Sequence, residues 1–239
     1  MFFTTTGEVV DDENLDANYK TLPTFILCNP NAMFYQHMIN YPHAYYLRYF
    51  LQKNINVMIW NYRGYGRSKS YRCCSNKPSP QNLVEDGEAV LRYLRRQMGI
   101  RGKIGVYGRS LGGISTAHLA EYADMVIIDR SFGNLYDVAY HKFYGWFATM
   151  MFKIGSLGWR TNNDINMLNR GIDSPARQEA ILTKGYGPPI QELSDLQKDP
   201  DEENLAGRSC YKVITCDKMD EIIPVQGSVM ACVARAAAI

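Results

Sequence analysis

Short runs of core-type residues alternate along this chain with stretches of helical spacing. Thr24-Phe25-Ile26-Leu27-Cys28 is apolar and β-branched, and it is bounded by Pro23 and by the turn formers Asn29-Pro30-Asn31. That pattern predicts a buried strand running into a loop. Asn56-Val57-Met58-Ile59-Trp60 reads the same way and stops at the Gly-containing segment Tyr62-Arg63-Gly64-Tyr65-Gly66. Residues 103–107, 125–128 and 211–216 complete a set of five predicted strands. Between them, 45–53, 82–98 and 110–122 carry apolar positions at helical spacing. The second of these has Ser79 placed to cap free N–H groups and Pro80 suited to the first turn, with Arg92, Arg95 and Arg96 toward its C-terminus. Strand and helix in alternation predict an α/β fold, a mostly parallel twisted sheet with helices on both faces. From 132 to 209 the alternation is interrupted by aromatics up to Trp159 and then by a polar tract, 171–207. A helical cap insertion over about 133–209 of a single domain, 1–239, is expected, with 195–204 as a solvated loop.

Composition narrows the class. The 239 residues are 46% hydrophobic and 21% charged, with 26 Lys and Arg against 24 Asp and Glu, a net charge of +2. A chain so nearly neutral has no field to draw it to nucleic acid. Its apolar runs fall well short of the roughly 20 residues of a membrane helix, and the first twelve residues turn acidic where a signal peptide would be apolar. A soluble cytoplasmic protein is therefore expected. The aromatic stretch 143–152, flanked by Lys142 and Lys153, leaves membrane-surface contact as a weaker alternative to cap packing. Six cysteines, Cys28, Cys73, Cys74, Cys210, Cys216 and Cys232, lack zinc-type spacing and are read as reduced thiols. Nothing calls for a metal or an organic cofactor.

Gly108-Arg109-Ser110-Leu111-Gly112 fits G-x-S-x-G, with a predicted strand before it and a helix-compatible stretch after it. A serine on so sharp a turn is strained, and residues without side chains let strand and helix approach closely enough to make it. The Ser110 hydroxyl then stands above the carboxyl edge of the sheet as a nucleophile. The Leu111 N–H, at the start of a helix, is one donor for a developing oxyanion.

With this context the sequence resembles the α/β-hydrolase superfamily, and within it the Bem46-like serine hydrolases, a group classed with S33-type serine peptidases. The resemblance runs from about Phe25 to about Val225 and is weakest over 171–207. Asn29-Pro30-Asn31-Ala32 stands where the family has His-Gly-Asn-Ala, which implies a second oxyanion donor here, the Asn31 N–H, or that of Ala32. Pro30 has no N–H to give. Asn61-Tyr62-Arg63-Gly64-Tyr65-Gly66-Arg67-Ser68 is similar to a family loop that packs beneath the nucleophile turn, so a structural role is expected for it. Asp129-Arg130-Ser131-Phe132 is similar to the segment leading into the cap. Cys216-Asp217-Lys218-Met219-Asp220-Glu221-Ile222-Ile223-Pro224 resembles the acid loop and implies Asp220 as the acid that orients an imidazole. Asp217 and Asp129 are lesser candidates.

In this fold the order along the chain is Ser, acid, His. All four histidines, His37, His43, His118 and His141, precede Asp220. His118 lies eight residues beyond Ser110, about 12 Å along a helix at 1.5 Å per residue, and reads as a partner for a neighbouring element. Without a base, a serine hydroxyl is a poor nucleophile at neutral pH. Two expectations stand side by side. One is a serine hydrolase cleaving an ester, thioester or amide of a small substrate or an acylated protein through an acyl-Ser110 intermediate, its histidine carried by sequence beyond Ile239; the 239 residues alone would then be inactive. The other is a non-catalytic α/β-hydrolase-like binding or structural protein in which Ser110 and Asp220 are remnants.

Overall fold

The computed structural model describes residues 1–4, 17–40, 44–68, 78–142, 161, 163, 211–216, 223 and 228–229. Its strands are β1 (Phe2–Phe3), β2 (Thr24–Cys28), β3 (Asn56–Ile59), β4 (Ile104–Arg109), β5 (Met125–Asp129) and β6 (Tyr211–Thr215). They form one sheet in the order β1-β3-β2-β4-β5-β6. Strands β2 to β6 are parallel to their neighbours, and β1 pairs antiparallel with β3. The predicted strands are recovered to within two residues at their ends. Strand β1 is an addition: it is two residues long, with no periodicity to announce it, and the pairing of Phe2 with Met58 and of Phe3 with Val57 creates it.

The helices are α1 (Tyr35–Met38), α2 (Tyr45–Gln52), α3 (Pro80–Arg92), α4 (Gly113–Leu119) and α5 (Leu135–Lys142). Ser79 caps α3 as expected, its Oγ accepting from the Asn82 N–H at 3.1 Å. The predicted helix over 82–98 does not stay regular: beyond Arg92 it widens into a π turn, Tyr93–Gln97. The stretch 110–122 divides into a 3₁₀ turn, Ser110–Gly112, and α4.

Strand residues face alternate sides, and two apolar clusters result. Ile26, Met58, Val106 and Ile128 pack with Leu83, Leu91, Ile114 and Leu119 of α3 and α4. Phe25, Leu27, Val57, Ile59 and Tyr107 pack with Leu47 and Phe50 of α2 on the other face. Cover on both sides explains why β2 is buried at every residue. The ladder aligns strand ends: Cys28 lies opposite Gly108, Arg109 opposite Asp129, and Asp129 opposite Thr215. The carboxyl ends of β2, β4, β5 and β6 thus share one edge, where open α/β sheets place their chemistry.

Most of the expected cap, 133–209, lies outside the described residues; α5 occupies its start. Also outside are Asp217, Asp220, His43, 143–152 and 171–207. Among the described residues no helix is long and apolar enough to cross a membrane.

Candidate active site

Strand β4 delivers Ser110 to that edge, where the backbone turns directly into Ser110–Gly112 and α4. Ser110 sits at φ +51°, in the left-handed region, which costs a non-glycine residue about 1–2 kcal/mol. The two motif glycines are required by their surroundings. A β-carbon on Gly108 would overlap the Thr116 hydroxyl and the Gly112 carbonyl, and one on Gly112 would overlap the Cys28 carbonyl. The tight turn is tied from outside by Ser131, whose Oγ donates to the Ser110 carbonyl at 2.6 Å. Leu111 lies in the first helical turn after the serine, where N–H groups have no intrahelical acceptor.

The loop 29–32 faces this turn from the end of β2, and the residues after β3 hold it. Buried Asn29 donates from Nδ2 to the Trp60 carbonyl at 2.6 Å, and its own carbonyl accepts from the Tyr62 hydroxyl at 2.7 Å. Asn29 therefore serves as a tie between strands. Tyr65 donates to Asn31 Oδ1 at 2.7 Å, and Ala32 sits at φ +59°. The segment after β3 is itself anchored to α3: the Arg63 N–H and Nε donate to Asp86 at 2.8 Å each, with Asn82 and Glu85 taking the rest of the guanidinium. The expected structural role of 61–68 is what these contacts describe.

Cys28 is buried beside the turn. Burial pushes its thiol up to about 12, against weaker pulls from Thr116 and Trp60, so it stays neutral at pH 7 and is no nucleophile. Asp129, a lesser acid candidate, is fully engaged. Its carboxylate accepts from Arg130 Nε at 2.9 Å and Nη2 at 3.0 Å, from the Tyr107 hydroxyl at 2.8 Å and from Thr215 at 2.9 Å. Burial alone would raise its pKa, but the bonds from Arg130, Tyr107 and Thr215 outweigh that and hold it below the ordinary carboxylate value. A carboxylate lowered in the folded state stabilises above its unfolded pKa, about 3.9, and that stability disappears as pH falls through the folded value. Asp129→Asn is accordingly expected to flatten the acid limb of a plot of urea midpoint against pH below about 4. An unchanged limb would mean that other carboxylates carry it.

The described histidines are occupied elsewhere or exposed. His118 Nε2 meets buried Glu88 Oε1 at 2.6 Å, joining α4 to α3 as its position suggested. The His37 ring lies 3.9 Å from that of Phe34, and His141 lies against Tyr140. Among the described residues no histidine is hydrogen-bonded to Ser110.

A mostly parallel sheet whose central strand ends in a strained serine between two obligatory glycines has counterparts among known proteins. A family model described as serine aminopeptidase, S33, matches residues 34–131. The chain is 29% identical over 185 residues to the α/β hydrolase domain-containing protein WAV2 of Arabidopsis thaliana, covering 74% of this chain and 53% of the relative. It is 31% identical over 121 residues to protein bem46 of Schizosaccharomyces pombe, covering 48% of this chain and 37% of that one. The chain has the α/β-hydrolase fold, and over residues 34–131 it is similar to S33-type serine hydrolases. An esterase of Pyrococcus furiosus overlays on 92% of this chain and 70% of its own, with a TM-score of 0.52 at 12% identity, a likeness of fold. The match to the plant relative spans about half of that protein's length. Within this α/β-hydrolase fold, sequence reasoning located Ser110 and missed two things: the Tyr65 clamp and the Arg109–Asp129–Arg130 charge cluster. The adjacency of Asp129 and Arg130 was the available signal for the second.

Proposed function

We propose that the protein is a serine hydrolase acting on an ester, thioester or amide. Ser110 Oγ attacks the substrate carbonyl, its proton passes to an imidazole base and on to the leaving group, and the bond to that group breaks to give acyl-Ser110. Water then attacks the acyl carbon, and its hydrogen returns to Ser110 as the acid product leaves. The Leu111 N–H and the Asn31 N–H receive the oxyanion, Pro30 having no N–H to give. Asp220 follows β6, whose end lies beside Asp129, and orients the base. No described histidine bonds Ser110, so in this reading the base lies outside the described residues.

The observation that carries the proposal is the left-handed Ser110 between Gly108 and Gly112. Strain is kept where it aims a nucleophile. Intact-mass spectrometry of the native protein with a fluorophosphonate probe tests it. One adduct, lost in Ser110→Ala, is expected, while Ser110→Gly gains about 1 kcal/mol of stability as the strain is relieved. No adduct on a folded native protein, or an adduct retained by Ser110→Ala, overturns the reading. The non-catalytic alternative has its own support, since His118, on the helix that follows Ser110, is held by Glu88. It predicts a folded native protein that takes no adduct.

A further inference from the structure

A cavity of about 160 Å³ opens at the carboxyl edge of the sheet on the α2 side, walled by Cys28, Met33, Met38, Tyr46 and Tyr107, with Arg109 among its lining residues. We propose that it is an acyl-binding site for short acyl groups ending in a carboxylate, with Arg109 as the anion receptor. The inference rests on the hydrolase reading of Ser110.

Size sets the first limit. A cavity of about 150 Å³ holds benzene, so the guest has roughly six heavy atoms. Thioether, aromatic and neutral thiol walls suit an apolar body. Among the lining residues Arg109 alone carries charge. Its side chain is 41% exposed, and among the described residues its ion-pair partner is Asp129, only at 4.0 Å. That carboxylate is already saturated by Arg130, Tyr107 and Thr215. Two cations therefore share one anion, and Arg130 has the close geometry. Tyr107 spends its proton on Asp129, and burial pushes its phenol up, so it brings no competing negative charge. What Arg109 has left is a planar set of donors suited to a carboxylate. Consecutive Cα atoms are about 3.8 Å apart, so an anion on Arg109 and a carbonyl at Ser110 belong to one short molecule.

The test separates the cavity from the nucleophile. Thermal shift of the Ser110→Ala protein is titrated with monomethyl adipate and with methyl hexanoate, esters of similar length that differ in the terminal carboxylate. The monoester is expected to bind at least tenfold more tightly, and Arg109→Gln to make the two bind alike. Equal responses in the Ser110→Ala protein, or a preference that survives Arg109→Gln, overturn the proposal. The ester comparison needs no change at Arg109, so it decides the matter even if that variant fails to fold. Because Ser110→Ala performs no chemistry, the preference is read independently of fluorophosphonate labelling. Labelling without the preference sinks the site alone, and the preference without labelling sinks the hydrolase reading alone.

Discussion

Gly112→Ala is expected to destabilise the fold by about 3 kcal/mol or more, at the upper end of overpacking effects. The new β-carbon would land on the Cys28 carbonyl, with the Cys28 carbonyl carbon 2.8 Å and the Asn29 oxygen 3.1 Å away. Those are backbone atoms. Cys28 is fixed opposite Gly108 in the ladder, and Asn29 is tied to Trp60 and Tyr62, so neither can swing aside as a side chain would. Relief requires α4 to lift from the end of β2, which opens the cluster containing Ile114 and Leu119. Urea unfolding followed by tryptophan fluorescence measures the loss. A drop below 1 kcal/mol would show that helix and strand approach less closely than this geometry requires.

Tyr62 is the second position where a large effect is expected. It is fully buried, meets Trp60 edge-on at 4.7 Å and Tyr65 edge-on at 5.5 Å, and donates its hydroxyl to Asn29. Tyr62→Ala should cost about 3–5 kcal/mol, the range for emptying an aromatic site in a core. Tyr62→Phe isolates the hydroxyl: it removes the donor that serves the Asn29 carbonyl in a buried setting, for a loss of about 1–3 kcal/mol. The Phe variant should also label more slowly with a fluorophosphonate, because the loop bearing Asn31 loses one of its ties. Wild-type stability and labelling in Tyr62→Phe would assign the ordering of that loop to Tyr65 and to the Asn29–Trp60 bond instead.

The parts of this molecule that the sequence foretells are those governed by local rules. The run Phe25 to Cys28 is apolar throughout because both faces of β2 are covered, and Ser79-Pro80 marks a helix start through chemistry complete within four residues. Ser110 is legible for the same reason, since its glycines and its strand-to-helix context are contiguous. What escapes depends on partners brought together by topology. Asn29 in place of His is visible in the sequence, but its tie to Trp60, 31 residues away, is not. The clamp from Tyr65 to Asn31 spans 34 residues, and Asp129 is saturated in part by Thr215, 86 residues away. The chain shows an aspartate near a strand end; the fold shows that this one has no lone pairs to spare for an imidazole. Strand β1 escaped because two residues carry no period.

The bond between Asp129 and Thr215 has a consequence for how such a domain varies. It closes the β5–β6 ladder, which sets the register whatever the length of the intervening sequence, and the entropy of closing a loop rises only by about 0.6 kcal/mol for each doubling of its length. Insertions there are thermodynamically inexpensive, provided they leave the two strand ends able to meet. By contrast, the turn at Ser110 tolerates not even a methyl group at Gly112. Freedom to vary and intolerance of change are thus set by chain entropy in one place and by backbone contact in the other, at strand ends on the same edge of one sheet.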